Sequence, residues 1–171
     1  LFQYKFLVIN ELEKANKLDD TIIVLCPDHF PYGLMKKELN IISDIDRTDK
    51  FENYHTSLII YNPNIKKVQI DDTVSGLDIL PTLYNLFGIE YDSRLYMGKD
   101  IFSDTEHIVM LSDRSWITNK GKYDSITRKF YSFNGEKVSQ EYIDRINREV
   151  YLKFTYSTLI LDEDYYSKIG D

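Results

Sequence analysis

The feature that most constrains the fold is an apolar run that ends in an acid and an imidazole. Residues 22–26 read Ile-Ile-Val-Leu-Cys, and Pro27, Asp28 and His29 follow directly. The run is continuous and rich in β-branched side chains, which is typical of a strand buried on both faces of a parallel sheet. Open α/β sheets bind their ligands just beyond the carboxyl ends of such strands. The sequence therefore places Asp28 and His29 at a candidate binding site.

The chemistry of this pair leaves two interpretations open. A carboxylate oxygen and an imidazole nitrogen are suitable ligands for a divalent metal such as Mn or Zn. An Asp and a His after a strand also suit a loop in which the acid caps the next turn and the His is an ordinary satisfied side chain. The dipeptide alone favours the second interpretation, so the remainder of the chain has to decide.

Composition narrows the classes of protein that remain. The 171 residues are 43% hydrophobic and 29% charged, which indicates a globular chain with a sizeable core. A net charge of -7 argues against a nucleic-acid partner, which needs a basic face. Apolar runs stay well short of the roughly 20 residues of a membrane span, so these residues are expected to be soluble. The single cysteine, Cys26, is expected to be a small buried hydrophobic residue of the strand.

Hydrophobic periodicity and turn signals predict two parts. Residues 1–105 are predicted to be α/β, with helices and strands at 4–18, 21–26, 56–61 and 74–87. Residues 106–171 are predicted to form a small antiparallel β-meander and a long C-terminal helix that starts at Ser139. Trp116 is the expected core anchor between the meander and that helix.

Several segments, taken in order, resemble one family. The strand run with Asp28 and His29 looks like the metal-binding strand end of the alkaline phosphatase and sulfatase superfamily. Residues 57–63 resemble the strand that follows there, and residues 75–83 (Ser-Gly-Leu-Asp-Ile-Leu-Pro-Thr-Leu) resemble a helix of the same superfamily. The C-terminal part of lipoteichoic acid synthases and related phosphoglycerol transferases is similar to residues 97–102, 116–118 and 122–123.

The resemblance implies a partial alkaline-phosphatase-like sheet with flanking helices and a metal-dependent activity. In that family a single divalent metal, usually Mn with Zn or Mg as alternatives, is held by Glu, Thr, Asp and His. Asp28 and His29 match the Asp-His ligands. The Thr is also the nucleophile: it attacks a phosphatidylglycerol-type lipid, forms a glycerophospho-threonine intermediate and passes glycerol phosphate to a growing polymer.

The family's Glu ligand and nucleophilic Thr have no counterpart in this sequence. Thr21, Thr73 and Thr82 all lack the nucleophile's context. The chain opens inside a predicted helix without Met, and two strands are too few for a doubly wound sheet. We therefore expect the C-terminal half of a catalytic domain, inactive alone, whose multi-pass parent acts at the extracellular face of the cell membrane.

Other residues and functions stay open. His55 is a low-ranking candidate for substrate binding, since a surface His is the commoner case. Asp78 could be a second metal ligand, but capping of the helix after Ser75 is favoured. A sheet edge that lacks its neighbour would allow a homodimer. The alternatives to phosphoglycerol transfer are a sulfatase or other phosphodiesterase, and a non-catalytic binding module on the same fold.

Overall fold

The chain packs as two compact units, Leu1–Ile70 and Asp71–Asp171. The computed structural model describes residues 2–29, 31–43, 46–47 and 49–169. The division precedes the boundary predicted near residue 105, because residues 71–105 pack with the C-terminal helix and sheet, for example through Lys99 and Glu149, whose charged atoms lie 3.6 Å apart. The assignment of residues 1–105 to one catalytic domain stays a prediction.

The first unit contains two helices and two strands: α1 (Phe2–Lys14), β1 (Ile23–Leu25), α2 (Lys36–Ile42) and β2 (Ile59–Tyr61). Helix α1 ends because Asn16 adopts a left-handed conformation, with φ 53°. The amide of Lys17 then donates to the carbonyl of Leu12 at 2.9 Å, which satisfies a carbonyl of the last helical turn. The chain can therefore turn back towards β1.

Strands β1 and β2 pair antiparallel, in a register that joins Ile23 to Tyr61 and Leu25 to Ile59. The expectation of a parallel strand buried on both faces was wrong. The apolar run specifies extended backbone but not the direction of the partner strand. Leu25 and Ile59 are exposed, because the described residues of this unit form only a two-stranded ribbon, which leaves part of each strand uncovered.

Asn62 fixes the position of β1 relative to β2. Its buried side-chain amide donates to the carbonyls of Asp19 and Thr21, each at 2.9 Å. Its side-chain oxygen accepts from the amide of Asn64 at 2.8 Å, closing the turn after β2. The start of β1 is thereby tied to the end of β2, and the carboxyl end of β1 is left at the opposite end of the ribbon.

The first helix of the second unit is the one predicted over residues 74–87. A 3₁₀ turn (Gly76–Asp78) leads into α3 (Ile79–Leu86), and Ser75 and Asp78 form the predicted capping box. Pro81 lies in the first turn of α3, where its missing N–H removes no helical hydrogen bond. Gly88, directly after the predicted range, adopts φ 65° and ends the helix.

The remainder of this unit confirms the predicted meander and C-terminal helix. Four antiparallel strands pair in chain order, and a long helix and a short one follow: β3 (Val109–Met110), β4 (Trp116–Thr118), β5 (Gly121–Asp124), β6 (Lys129–Ser132), α4 (Gln140–Asp162) and α5 (Tyr165–Ile169). Trp116 is 0% exposed and packs with Ile108, Ile146 and Val150. Its indole N–H donates to Asn147 Oδ1 at 2.8 Å, so the core anchor has no unsatisfied donor.

The fold class predicted from the sequence is confirmed: an α/β portion followed by a small antiparallel sheet and a C-terminal helix. None of the described helices is both long and apolar enough to cross a membrane.

Candidate metal centre

Asp28 and His29 lie in the loop that follows β1. Two residues, Cys26 and Pro27, separate the end of the strand at Leu25 from Asp28. Cys26 is exposed, which corrects the expectation of a buried thiol: the strand ends one residue earlier than the apolar run does. Pro27 ends the hydrogen-bond ladder between β1 and β2, because it has no N–H to donate.

The two candidate ligands face each other. Asp28 Oδ2 lies 3.6 Å from His29 Nε2, and the side chains are 88% and 44% exposed. Each metal–ligand bond to oxygen or nitrogen spans about 2.0–2.2 Å, so both atoms can reach one cation at this separation. A carboxylate oxygen and an imidazole nitrogen also form a donor set that suits Mn, Zn or Mg to different degrees.

The pair is an incomplete coordination shell. Among the described residues, no group of three or more His, Cys, Asp or Glu side chains is placed to hold a metal ion. Metal sites draw their affinity from three or four pre-organised ligands. The donor chemistry and spacing therefore fit a divalent ion, while the described residues supply only part of what such an ion requires.

His29 has a defined ring orientation within this loop. Its imidazole stacks on the ring of Tyr32, with centroids 4.2 Å apart and planes inclined by 14°. The amide of Leu34 donates to the carbonyl of Pro31 at 3.2 Å, closing a turn that has Tyr32 at its centre. Tyr32 was not singled out from the sequence; the Pro-Tyr-Gly triplet indicates a turn, but not the stack.

His55, the low-ranking candidate for substrate binding, lies before β2. Its Nδ1 is 3.0 Å from Glu52 Oε2, and its carbonyl accepts from the guanidinium of Arg47 at 2.5 Å. The ring is exposed and paired within its own segment. Its involvement with substrate stays a prediction.

Asp78 is the acid that the sequence left between capping and metal binding, and the structure confirms capping. Asp78 Oδ2 accepts from the amide of Ser75, and Oδ1 accepts from the amide of Lys99, both at 2.7 Å. The carboxylate is thus committed to backbone donors of two separate segments. Its role is to join the start of α3 to the loop before β3.

A buried contact between Asp78 and His107 was missed from the sequence. Asp78 Oδ2 lies 3.8 Å from His107 Nδ1, and each side chain is only 5% exposed. No spacing rule links residues so far apart in the chain, so this contact required the fold. The packing here is close, since a Cβ on Gly98 would lie 2.0 Å from the carbonyl oxygen of Leu77.

Lys153 of α4 interacts electrostatically with this buried carboxylate. Lys153 donates to the carbonyl of Met97, and its Nζ lies 3.9 Å from Glu149 Oε1. Burial lowers the pKa of Lys153, partly offset by the negative charges of Glu149 and Asp78. The cluster connects α4 to the Met97–Lys99 segment and is structural in character.

Comparison with known proteins shows which families the chain resembles. A profile of the sulfatase family matches residues 7–89, a range that contains both Asp28 and His29. Lipoteichoic acid synthase 2 of Bacillus subtilis is 25% identical over 143 residues, which cover 80% of this chain and 22% of that protein. Lipoteichoic acid synthase 1 of the same organism is 28% identical over 163 residues, 90% of this chain and 25% of that protein.

The lipoteichoic acid synthase of Staphylococcus saprophyticus is 28% identical over 121 residues, 67% of this chain and 18% of that protein. The chain is similar to the sulfatase family over residues 7–89 and to lipoteichoic acid synthases over most of its length. It spans a quarter or less of the length of these relatives. The sulfatase-family match runs through all of the first unit's strands and ends after α3, at residue 89.

Proposed function

We propose that this chain contributes Asp28 and His29 to the metal centre of a phosphoglycerol transferase that acts on cell-envelope phosphodiesters. One observation carries the proposal: Asp28 Oδ2 and His29 Nε2 lie 3.6 Å apart at the carboxyl end of β1, inside the sulfatase-family match. The similarity to lipoteichoic acid synthases supports transfer of glycerol phosphate over other chemistries. Mn is the proposed ion, with Zn and Mg as alternatives.

The residues of this chain would do two things in that centre. Asp28 would supply an anionic oxygen and His29 a neutral nitrogen, and the antiparallel ribbon would hold both at the end of β1. A divalent cation held there supplies Lewis-acid polarisation of a phosphoryl oxygen. The proposed nucleophile, a Thr, and the remaining ligands belong to sequence outside these 171 residues, so the 171 residues alone are proposed to be inactive.

Substrate and location follow as parts of the same proposal. The donor would be a phosphatidylglycerol-type lipid and the acceptor a glycerol-phosphate polymer, which would put the complete enzyme at the extracellular face of the membrane.

A homodimer through the edge of the β1–β2 ribbon is a further proposal, which analytical ultracentrifugation would test. A sulfatase would carry a Cys or Ser in place of the nucleophilic Thr, so the identity of that residue separates transferase from sulfatase.

Thermal unfolding in the presence of Mn²⁺ tests the metal site, because an ion that binds only the folded state raises the melting temperature. In the full-length natural protein we expect Mn²⁺ to raise the melting temperature of the wild type, and Asp28→Ala and His29→Ala to abolish the rise. Asp19→Ala, which removes an exposed acid of the same unit, is the matched control and should keep it.

The same experiment separates the split centre from a non-catalytic module. A rise in the full-length protein together with little or no rise in residues 1–171 supports a centre completed from elsewhere. Equal melting temperatures with and without Mn²⁺ in the full-length protein would rule out the metal site and favour the binding module. Without metal, Asp28→Ala should change the free energy of unfolding by less than about 0.5 kcal/mol, because the side chain is exposed.

A further inference from the structure

Tyr32 is an exposed side chain that nevertheless has a defined partner. The residue is 70% exposed, and its ring lies almost parallel to the imidazole of His29, with centroids 4.2 Å apart. An aromatic residue with so much solvent contact gains little from burial. Its position is therefore better explained by what it does to His29 than by its contribution to a core.

The local backbone brings the two rings together. Pro31 and Leu34 close a turn through a 3.2 Å hydrogen bond, with Tyr32 and Gly33 as its central residues. The turn directs the chain back on itself just after His29. Aromatic ring pairs at this separation contribute beyond the area they bury.

The geometry of the stack is compatible with metal binding by His29. A metal ion approaches an imidazole nitrogen in the plane of the ring, along its lone pair. Tyr32 lies against a face of the imidazole and not against the ring edge, where Nε2 lies 3.6 Å from Asp28 Oδ2. The stack and a bound ion would therefore occupy different sides of the same ring.

An exposed imidazole otherwise samples several rotamers, and fixing them on binding costs conformational entropy. We propose that Tyr32 is a positioning residue, which holds the ring of His29 in its metal-binding orientation before the ion arrives. This inference rests on the proposed function, since it assigns the stack a purpose only if His29 is a ligand. It extends the site to a residue outside the coordination shell.

Mn²⁺ binding to the full-length natural protein tests the proposal, with free Mn²⁺ measured by its electron paramagnetic resonance signal. Tyr32→Leu removes the ring and should weaken Mn²⁺ affinity about two- to tenfold, the range expected for one aromatic stack. Tyr32→Phe keeps the ring and should bind as the wild type does. Tyr156→Leu removes an exposed tyrosine from α4 and is the matched control.

A second readout, proton NMR of the His29 ring in the metal-free protein, reports on the stack itself. The current of the Tyr32 ring shields the protons of a stacked imidazole, so Tyr32→Leu should move the His29 signals downfield. The signals of His55 and His107 should stay in place as internal references. This measurement does not depend on metal or on activity, and a merely packing role for Tyr32 would not predict the accompanying loss of affinity.

The outcomes separate the inference from the proposed function. If Asp28→Ala loses Mn²⁺ while Tyr32→Leu binds it as tightly as the wild type, the positioning role is wrong and the metal site stands. If Tyr32→Phe is as weak as Tyr32→Leu, the hydroxyl and not the stack matters, and the positioning role is again wrong. If Asp28→Ala binds Mn²⁺ normally, the metal site itself fails and the inference fails with it.

Discussion

The two units of this chain place an aspartate in opposite environments. In the first unit Asp28 is 88% exposed beside an imidazole, whereas in the second unit Asp78 is buried among backbone N–H donors and His107. Hydrogen bonds from two backbone amides commit Asp78 to holding the fold together. Exposure leaves the oxygens of Asp28 accessible to a cation. The same residue type is thus structural or ligand-like according to its surroundings.

Packing differs between the units as well. The second unit has a core in which Trp116, Ile146 and Val150 are almost wholly buried and α4 lies against the meander. The first unit buries Leu18, Leu39 and Phe51 but exposes side chains of both its strands. We infer that stability and the proposed metal chemistry are carried by different parts of the chain. Substitutions can therefore perturb one with little effect on the other.

The largest expected effect comes from Trp116→Ala. Removing a fully buried indole leaves a cavity and an unpaired Asn147, and should lower the free energy of unfolding by about 3–5 kcal/mol. Urea unfolding followed by far-UV circular dichroism measures this change. Phe133→Ala, an exposed aromatic residue just after β6, should cost far less. Equal losses in the two variants would contradict the central position given to Trp116.

A smaller effect is expected for Gly98→Ala. The added Cβ would lie 2.0 Å from the carbonyl oxygen of Leu77 and 2.7 Å from the amide nitrogen of Asp78, so backbone must move. We expect a loss of about 1–3 kcal/mol, as for other overpacked sites. Gly76→Ala, next to Leu77, is the control, because nothing lies within 4 Å of its Cβ position. A neutral Gly98→Ala would show that the Asp78 region tolerates displacement.

The smallest effect is a pH dependence at Glu106, which accepts hydrogen bonds from Tyr142 at 2.7 Å and Arg145 at 2.6 Å. Burial alone would raise the pKa of Glu106, but these hydrogen bonds lower it below the ordinary 4.5. A lowered folded-state pKa gives stability that is fully present above the unfolded-state value. That stability is lost as pH falls through the folded-state value.

Wild type should therefore lose more stability than Glu106→Gln when the pH is lowered from about 6 to 3, by an amount below about 1 kcal/mol because the pair is partly exposed. Melting temperatures across this range measure the difference. Glu136→Gln, an exposed acid in the same unit, is the control and should follow the wild type. Parallel pH curves for wild type and Glu106→Gln would remove Glu106 from the stabilising contacts.

Local signals in the sequence predicted local structure well. Ser75 and Gly88 marked the two ends of a helix because capping depends on side chains a few residues apart. The meander was predictable because each strand pairs with its neighbour in the chain. Helix α4 was predictable because its cap at Ser139 and its apolar periodicity are also local signals. The position of Asp28 and His29 at a strand end also followed from residues next to them.

Features that depend on distant partners were not predictable. The apolar run could not specify an antiparallel partner, because β-propensity carries no direction. The approach of Gly98 to Leu77 and the contact of Asp78 with His107 join segments whose separation in the chain follows no period. The stack of Tyr32 on His29 is local, yet it depends on a turn geometry that the Pro-Tyr-Gly triplet does not determine uniquely.

The exposed thiol of Cys26 has a practical consequence. It is the chain's single cysteine, and it precedes Asp28 by two positions. A maleimide-linked fluorophore or a nitroxide attached there would report ion occupancy by quenching or by spin relaxation, with no engineered residue and no competing attachment point among these 171 residues. The native sequence therefore provides a labelling site next to the proposed metal-binding loop.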